Sequence, residues 1–186
     1  LVEADPDGWW YSALLADGRL AVAFLGDGDL LERPLLQADP EAWRERLSRT
    51  AATRERVEEH GYCLDTGSSL QAPLQVLPAE SSRLDSITGE GWLALGDAAA
   101  AYDPLSSHGV ASAMGSGFYG GNAIADLLAG RDEARLAYLD VLQNAYGTYL
   151  DMLRGHYARE RRWPDAPFWR RRHDPLFALE PIDSDQ

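Results

Sequence analysis

The sequence predicts an α+β fold, with strands gathered in the first 90 residues and helices dominating the rest. Three observations carry this. Residues 9–25 hold an aromatic run and an aliphatic run separated by Asp17-Gly18, the pattern of a hairpin. Trp92-Leu93-Ala94-Leu95 is a short apolar run followed, after an irregular loop, by a small-residue stretch that begins at Gly109. Further on, Leu136, Leu139, Leu142, Tyr146, Tyr149, Leu150 and Leu153 recur at helical spacing. The chain therefore reads as three parts, 1–90, 91–130 and 131–186.

Taken in order, Trp9-Trp10-Tyr11-Ser12-Ala13-Leu14 forms the outgoing strand of the hairpin, Leu20 to Leu25 the return, and Gly26 to Gly28 break it. Asp39-Pro40-Glu41 combines an N-cap, a proline at the first helical position and an acid in the first turn, so a helix runs to about Ser48. A second helix from about Ala51 to Glu59 ends at Gly61, which suits a left-handed position. Pro73 to Pro78 reads as a strand with prolines at its margins, and Arg83 to Ile87 as a short one. Trp92 to Leu95 reads as a strand covered on both faces. Gly109 to Ala129 is expected to be helical although each of Gly115, Gly117, Gly120 and Gly121 costs about 1 kcal/mol relative to alanine. Close packing of this small-residue face against a neighbouring element is the expected compensation. Gly130 ends the helix, and another starts near Asp132. The tail, Arg161-Arg162-Trp163-Pro164 through Phe168 to Arg172, is aromatic and basic.

A net charge of −13 over 186 residues argues against a nucleic-acid or anionic-membrane partner, since phosphate neutralisation needs a basic face. Every basic residue is an arginine, which excludes a Schiff-base or phosphate-loop lysine within this chain. The single cysteine, Cys63, reads as a buried or half-buried hydrophobe, and with no intrachain disulfide open to it the expected compartment is reducing and cytoplasmic. There is no apolar run long enough for a membrane-spanning helix. The first residues, LVEADPDGWWY, lack the layout of a signal peptide and resemble the middle of a protein.

Gly115-Ser116-Gly117-Phe118-Tyr119-Gly120 spells GxGxxG, but a phosphate loop of that wording follows a strand and opens a helix. Here it lies inside a helical stretch, and it reads as helix packing. Asp97 is the stronger candidate. Gly96 permits close approach, small residues follow, and Asp103-Pro104 leads through Ser107-His108 to a helix start at Gly109. Such a start offers unpaired N–H groups and partial positive charge to an anionic or electron-rich edge. His108 reads as a loop histidine bonded to backbone, with a general base or a covalent attachment point as the sharper alternative. No spacing of His60, His156, His173 or Cys63 supports a metal site.

At these residues the chain resembles a known family. GDAAAAYDPLSSHGV is similar to the second FAD-binding motif of the flavoproteins that include aromatic hydroxylases of the para-hydroxybenzoate hydroxylase type and the flavin-dependent halogenases. The resemblance implies FAD as cofactor, with Gly96 ending a strand and Asp97 binding the ribityl chain. It implies that Pro104, Leu105, Ser106, Ser107, His108, Gly109 and Val110 line the isoalloxazine and open the helix behind it. Residues 1–90 then belong to a substrate-binding sheet region of an α/β FAD-binding fold, and 131–186 to its C-terminal helix and tail. The N-terminal strand–GxGxxG–helix unit of that fold is absent from the sequence, so a separate or additional FAD-binding half is an expected partner. DPLSSHG and the tail RRWPDAPFWRRR resemble a branch of monooxygenases or halogenase-like proteins in which some members assist maturation of protein-derived quinone cofactors.

What the resemblance implies is an FAD-dependent monooxygenase that hydroxylates an aromatic small molecule or peptide side chain through a flavin hydroperoxide. A halogenase-like enzyme and a non-catalytic split or truncated subunit are the alternatives. Halogenases of the family carry WxWxIP on the strand that here reads Trp9-Trp10-Tyr11-Ser12-Ala13-Leu14, so tyrosine replaces the second tryptophan and Ala-Leu replaces Ile-Pro. Trp9, Trp10 and Tyr11 face an aromatic substrate or serve as sheet-core aromatics; both readings stand at this point.

Overall fold

A computed structural model describes residues 1–63 and 74–174. The fold is α+β. The described residues fall into two compact units, Leu1–Pro78 with Glu160–Arg172, and Ala79–Arg159 with His173 and Asp174. This division differs from the three sequence parts in that the aromatic and basic tail belongs with the N-terminal strands.

In the first unit β1 (Val2–Asp5), β2 (Gly8–Leu14) and β3 (Leu20–Gly26) form an antiparallel sheet in that order. The predicted hairpin is β2–β3, turned at Asp17-Gly18 with Gly18 at φ +84°. The register sets Trp10 opposite Glu3 on one side and Phe24 on the other. Short α1 (Arg33–Leu36) precedes α2 (Pro40–Ser48) and α3 (Ala52–Glu59). Asp39 caps α2 as its sequence predicts, its carboxylate accepting from the Glu41 N–H at 2.8 Å. Gly61 follows α3 at φ +65°.

The cap position of α3 is Ala51, which offers no side-chain acceptor, and the neighbouring Thr50 hydroxyl accepts only from the Arg54 N–H, at 3.0 Å. Glu3 supplies one from β1. Its carboxylate accepts from the N–H groups of Ala51 (2.8 Å), Ala52 (3.2 Å) and Thr53 (2.6 Å) and from the Thr53 hydroxyl (2.6 Å). Partial burial alone would raise the Glu3 pKa, but these bonds favour the charged form and hold it below its ordinary value.

The core of this unit is aromatic. Trp10 is fully buried between Phe24, with ring centroids 5.1 Å apart, and Trp43, edge-on at 5.7 Å. The Arg46 guanidinium lies 4.0 Å from the Phe24 ring centroid and donates to Asp5 (3.0 Å) and Asp7 (3.2 Å). Trp9 and Trp10 are buried in the sheet core, at 3% and 0% exposure, while Tyr11, at 43%, keeps an open side chain. Cys63 is exposed, which corrects the expectation of a buried thiol. Residues 74–78 carry no strand, and Pro73 lies outside the described residues.

The second unit begins with two small antiparallel pairs. β4 (Ser82–Arg83) pairs with β7 (Ala100–Ala101), and β5 (Thr88–Gly89) with β6 (Trp92–Leu93). Of the strand predicted over 83–87 only Arg83 is in a strand, and that over 92–95 is shortened to Trp92–Leu93. Trp92 is exposed, so β6 is not covered on both faces. Two long helices follow, α4 (Gly109–Leu128) and α5 (Glu133–Tyr157), with Gly130 at φ +79° between them. Ile87, Ala99, Ala123, Ala134 and Tyr138 form the buried core, and Leu93, Ala94, Leu95, Leu127, Leu139 and Leu142 pack against it. Leu136, expected on the inner stripe of α5, is exposed; Ala134 and Tyr138 take the buried positions of that turn. The last helix among the described residues, α6 (Pro167–His173), lies in the tail and through Arg172 belongs to the first unit; its Trp169 indole N–H donates to the Asp5 carbonyl at 2.9 Å.

The glycines of α4 divide. A Cβ on Gly120 would lie 2.3 Å from Leu95 Cδ2, so this position is closely packed as expected. At Gly115, Gly117 and Gly121 a Cβ would meet nothing within 4 Å, which corrects the expectation of a packed small-residue face there. On the exposed side of the helix stand Val110, Met114, Phe118 and Leu128, with Phe118 68% and Leu128 85% open.

Candidate functional site

Gly96 turns the chain at the end of the Leu93–Leu95 run. It adopts φ +56°, which a side chain would strain, and a Cβ there would lie 3.5 Å from the Ala113 Cβ. Its N–H donates to the Ser116 hydroxyl at 2.8 Å, and that hydroxyl donates to the Ala113 carbonyl at 2.9 Å. The buried Ser116 thus ties the corner to α4. This gives the GSG wording a structural role: the serine docks the corner, while the glycines on either side face open space.

Asp97 sits in the 3-10 turn Gly96–Ala98 that follows. Its carboxylate is exposed and accepts no hydrogen bond from a described residue. A carboxylate at a glycine corner with all its acceptor capacity unused is suited to take hydroxyl donors from a ligand.

Pro104–Ser106 form a second 3-10 turn, capped by Asp103, whose carboxylate accepts from the Leu105 N–H at 2.8 Å. The Asp103 carbonyl accepts from the Ser106 N–H at 3.0 Å and the Ser106 hydroxyl at 2.7 Å. Ser107 then adopts a left-handed conformation, φ +55° and ψ +22°, uncommon for a residue with a side chain. His108 stands at the cap position of α4, and its Nδ1 lies 2.9 Å from the Ser106 carbonyl. A carbonyl can only accept, so Nδ1 carries the proton. The histidine therefore has the backbone partner that the plainer sequence reading gave it.

The first turn of α4, opened by Gly109 and Val110, has no side-chain cap. Its N–H groups and the helix dipole are available to negative charge. Gly96, Asp97 and Pro104 to Val110 all lie in the second unit, and Trp9, Trp10 and Tyr11 all lie in the first.

Behind the loop stands a cluster of tyrosines. Tyr149 is buried against Tyr102, edge-on at 4.8 Å, and Tyr146, at 5.4 Å. Its hydroxyl bonds to Ser81 and accepts from the Asp103 N–H at 2.9 Å. Burial pushes its pKa up to about 12, outweighing these bonds, so the hydroxyl stays protonated. Asp103, Tyr149 and Ser116 were not singled out as site residues in the sequence. Asp103-Pro104 repeats the capping signal of Asp39-Pro40, but the tyrosines look like any inner helical stripe.

Among the described residues no group of three metal-capable side chains occurs, and no helix is long and apolar enough to cross a membrane.

Comparison with known proteins identifies relatives of this chain. LodB of Marinomonas mediterranea, named as an FAD-dependent oxidoreductase, is 30% identical over 172 residues, which are 92% of this chain and 44% of LodB. Among solved structures, the peptidyl tryptophan dihydroxylase QhpG, described as essential for tryptophylquinone cofactor biogenesis, shares the fold with a TM-score of 0.73. There the identity is 24%, and the match covers 92% of this chain and 38% of QhpG. The chain thus spans less than half the length of either protein. The profile of the tryptophan halogenase family matches residues 44–178, most of the 186-residue sequence, and the chain belongs to that family.

Proposed function

We propose that this chain is the C-terminal part of an FAD-dependent monooxygenase that hydroxylates an aromatic group. Asp97 is the observation that carries the reading. It is an exposed carboxylate without a described partner, fixed at a glycine corner that Ser116 docks onto α4. In this reading Asp97 accepts hydrogen bonds from the ribityl hydroxyls. The uncapped N–H groups at the start of α4 stabilise negative charge on the flavin, and Pro104 to Val110 line the ring. The flavin, when bound, supplies the activation of oxygen. This chain's own residues hold and orient the ring and help to exclude water from it. None of its side chains is assigned as an acid or base.

The strand–GxGxxG–helix unit that would hold the ADP moiety comes, in this reading, from a further FAD-binding half. Two facts support such a half: the relatives extend well beyond the matched segment, and α4 leaves Val110, Met114, Phe118 and Leu128 uncovered. The proposed substrate is an aromatic small molecule or a peptide side chain, and the name of QhpG favours a peptide-borne indole. Halogenation is the second reading, favoured by the family's own description.

The test is the visible spectrum of the complete purified protein, followed by turnover of an aromatic substrate under labelled oxygen with and without halide. A flavin band and incorporation of labelled oxygen support hydroxylation. A halide-dependent product favours halogenation, and a colourless protein that retains no added FAD refutes both.

A further inference from the structure

α5 reaches the Pro104–Val110 loop through two tyrosine hydroxyls, and both meet Asp103. The Tyr157 hydroxyl donates to Asp103 Oδ2 at 2.7 Å, and the Tyr149 hydroxyl accepts from the Asp103 N–H at 2.9 Å. The two tyrosines are eight residues apart on α5, about 12 Å along its axis, so Asp103 is bridged between separate turns of the helix. Both side chains are buried.

From Asp103 the bonding continues into the loop. Its other carboxylate oxygen takes the Leu105 N–H, its carbonyl takes both Ser106 donors, and the Ser106 carbonyl meets His108 Nδ1. One uninterrupted path therefore runs from α5 to the residue at the cap position of α4. The loop needs such support, because Ser107 holds a left-handed backbone conformation that persists only where its surroundings over-determine it.

We propose that Tyr149 and Tyr157 are positioning residues for the flavin loop: by fixing Asp103 from α5, they set the shape of Pro104 to Val110 before the cofactor arrives. The inference rests on the flavin assignment made above for that loop. It gives the two hydroxyls a task that phenylalanine at either position would not perform. It also places the source of the loop's rigidity on a helix outside the assigned Pro104–Val110 loop.

The experiment uses the complete flavoprotein and the variants Tyr149→Phe, Tyr157→Phe and Asp103→Asn, assayed well below their melting temperatures. Each is expected to weaken FAD retention by at least about fivefold, the scale of one lost hydrogen bond, and to shift the absorption and fluorescence of the flavin that remains bound. Tyr157→Phe combined with Asp103→Asn is expected to weaken FAD by less than the product of the two single effects, since both disturb the Tyr157–Asp103 contact. Should Tyr149→Phe fail to fold, Tyr157→Phe carries the same test through the carboxylate alone. Variants with a lower melting temperature but unchanged FAD affinity and flavin spectra would show plain fold struts and overturn the clamp while leaving the flavin assignment standing. A wild-type protein that retains no FAD would overturn the assignment and the clamp together.

Discussion

Replacing Gly120 with alanine and comparing it with Gly117→Ala separates close packing from mere helix composition within one motif. Both positions are in the interior of α4, so each gains about 1 kcal/mol of helix propensity from alanine. At Gly117 the new Cβ meets nothing within 4 Å, and the gain stands alone. At Gly120 it would lie 2.3 Å from Leu95 Cδ2 and 3.4 Å from a Tyr138 ring carbon. Favourable carbon–carbon contact begins near 3.5 Å, so Leu95 must retreat by about 1 Å in a core it shares with Tyr138 and Ala123. Overpacking of this kind costs about 1–3 kcal/mol. The net expectation is a change between roughly neutral and about 2 kcal/mol destabilising at Gly120, against about 1 kcal/mol stabilising at Gly117. Urea unfolding of the 186-residue polypeptide, followed by circular dichroism, reads the difference of about 1–3 kcal/mol between the two variants. Equal stabilisation by both would refute the packing of α4 on Leu95.

Three further predictions follow from the same structure. Glu3→Gln is expected to cost about 1 kcal/mol at neutral pH by weakening the cap of α3. Because the folded pKa of Glu3 lies below its ordinary 4.5, its contribution is present above that value and is lost as pH falls through the folded value. Melting temperature against pH should therefore fall less steeply below about pH 4.5 in the variant than in the wild type. Asp27→Ala should cost about 3 kcal/mol in urea unfolding, since it strips the largely buried Arg172 guanidinium of bonds of 2.7 and 3.1 Å. Cys63, being exposed, should react with a thiol reagent in the folded protein about as fast as in urea; protection in the folded state would contradict its placement.

The parts of the fold that were legible in the sequence are those decided by neighbours along the chain. The aromatic and aliphatic runs about Asp17-Gly18 mark the β2–β3 hairpin, Asp39-Pro40 marks the start of α2, the small-residue stretch from Gly109 to Gly130 marks α4, and apolar spacing marks α5. What was not legible depends on distant partners. Glu3 caps a helix about fifty residues away, and nothing local marks Val2–Asp5 as the strand that brings it there. Gly120 and Gly117 are equivalent in composition, and only the position of Leu95 tells them apart. The burial of Trp10 likewise depends on Phe24 and Trp43, distant in sequence, which close over it. At the candidate site, the strand–loop–helix wording marked Gly96, Asp97 and the Pro104–Val110 loop. It could not mark Ser116, Tyr149 and Tyr157, whose roles lie in single hydroxyl contacts across the unit.

The central claim is that Asp97 holds the cofactor. The measurement that tests it most directly is the FAD dissociation constant of the complete protein before and after Asp97→Ala. Loss of charge-assisted hydrogen bonds to the ribityl chain predicts weakening of at least about tenfold with the melting temperature of the cofactor-free protein unchanged, because Asp97 has no partner among the described residues to lose. An unchanged dissociation constant would contradict the account.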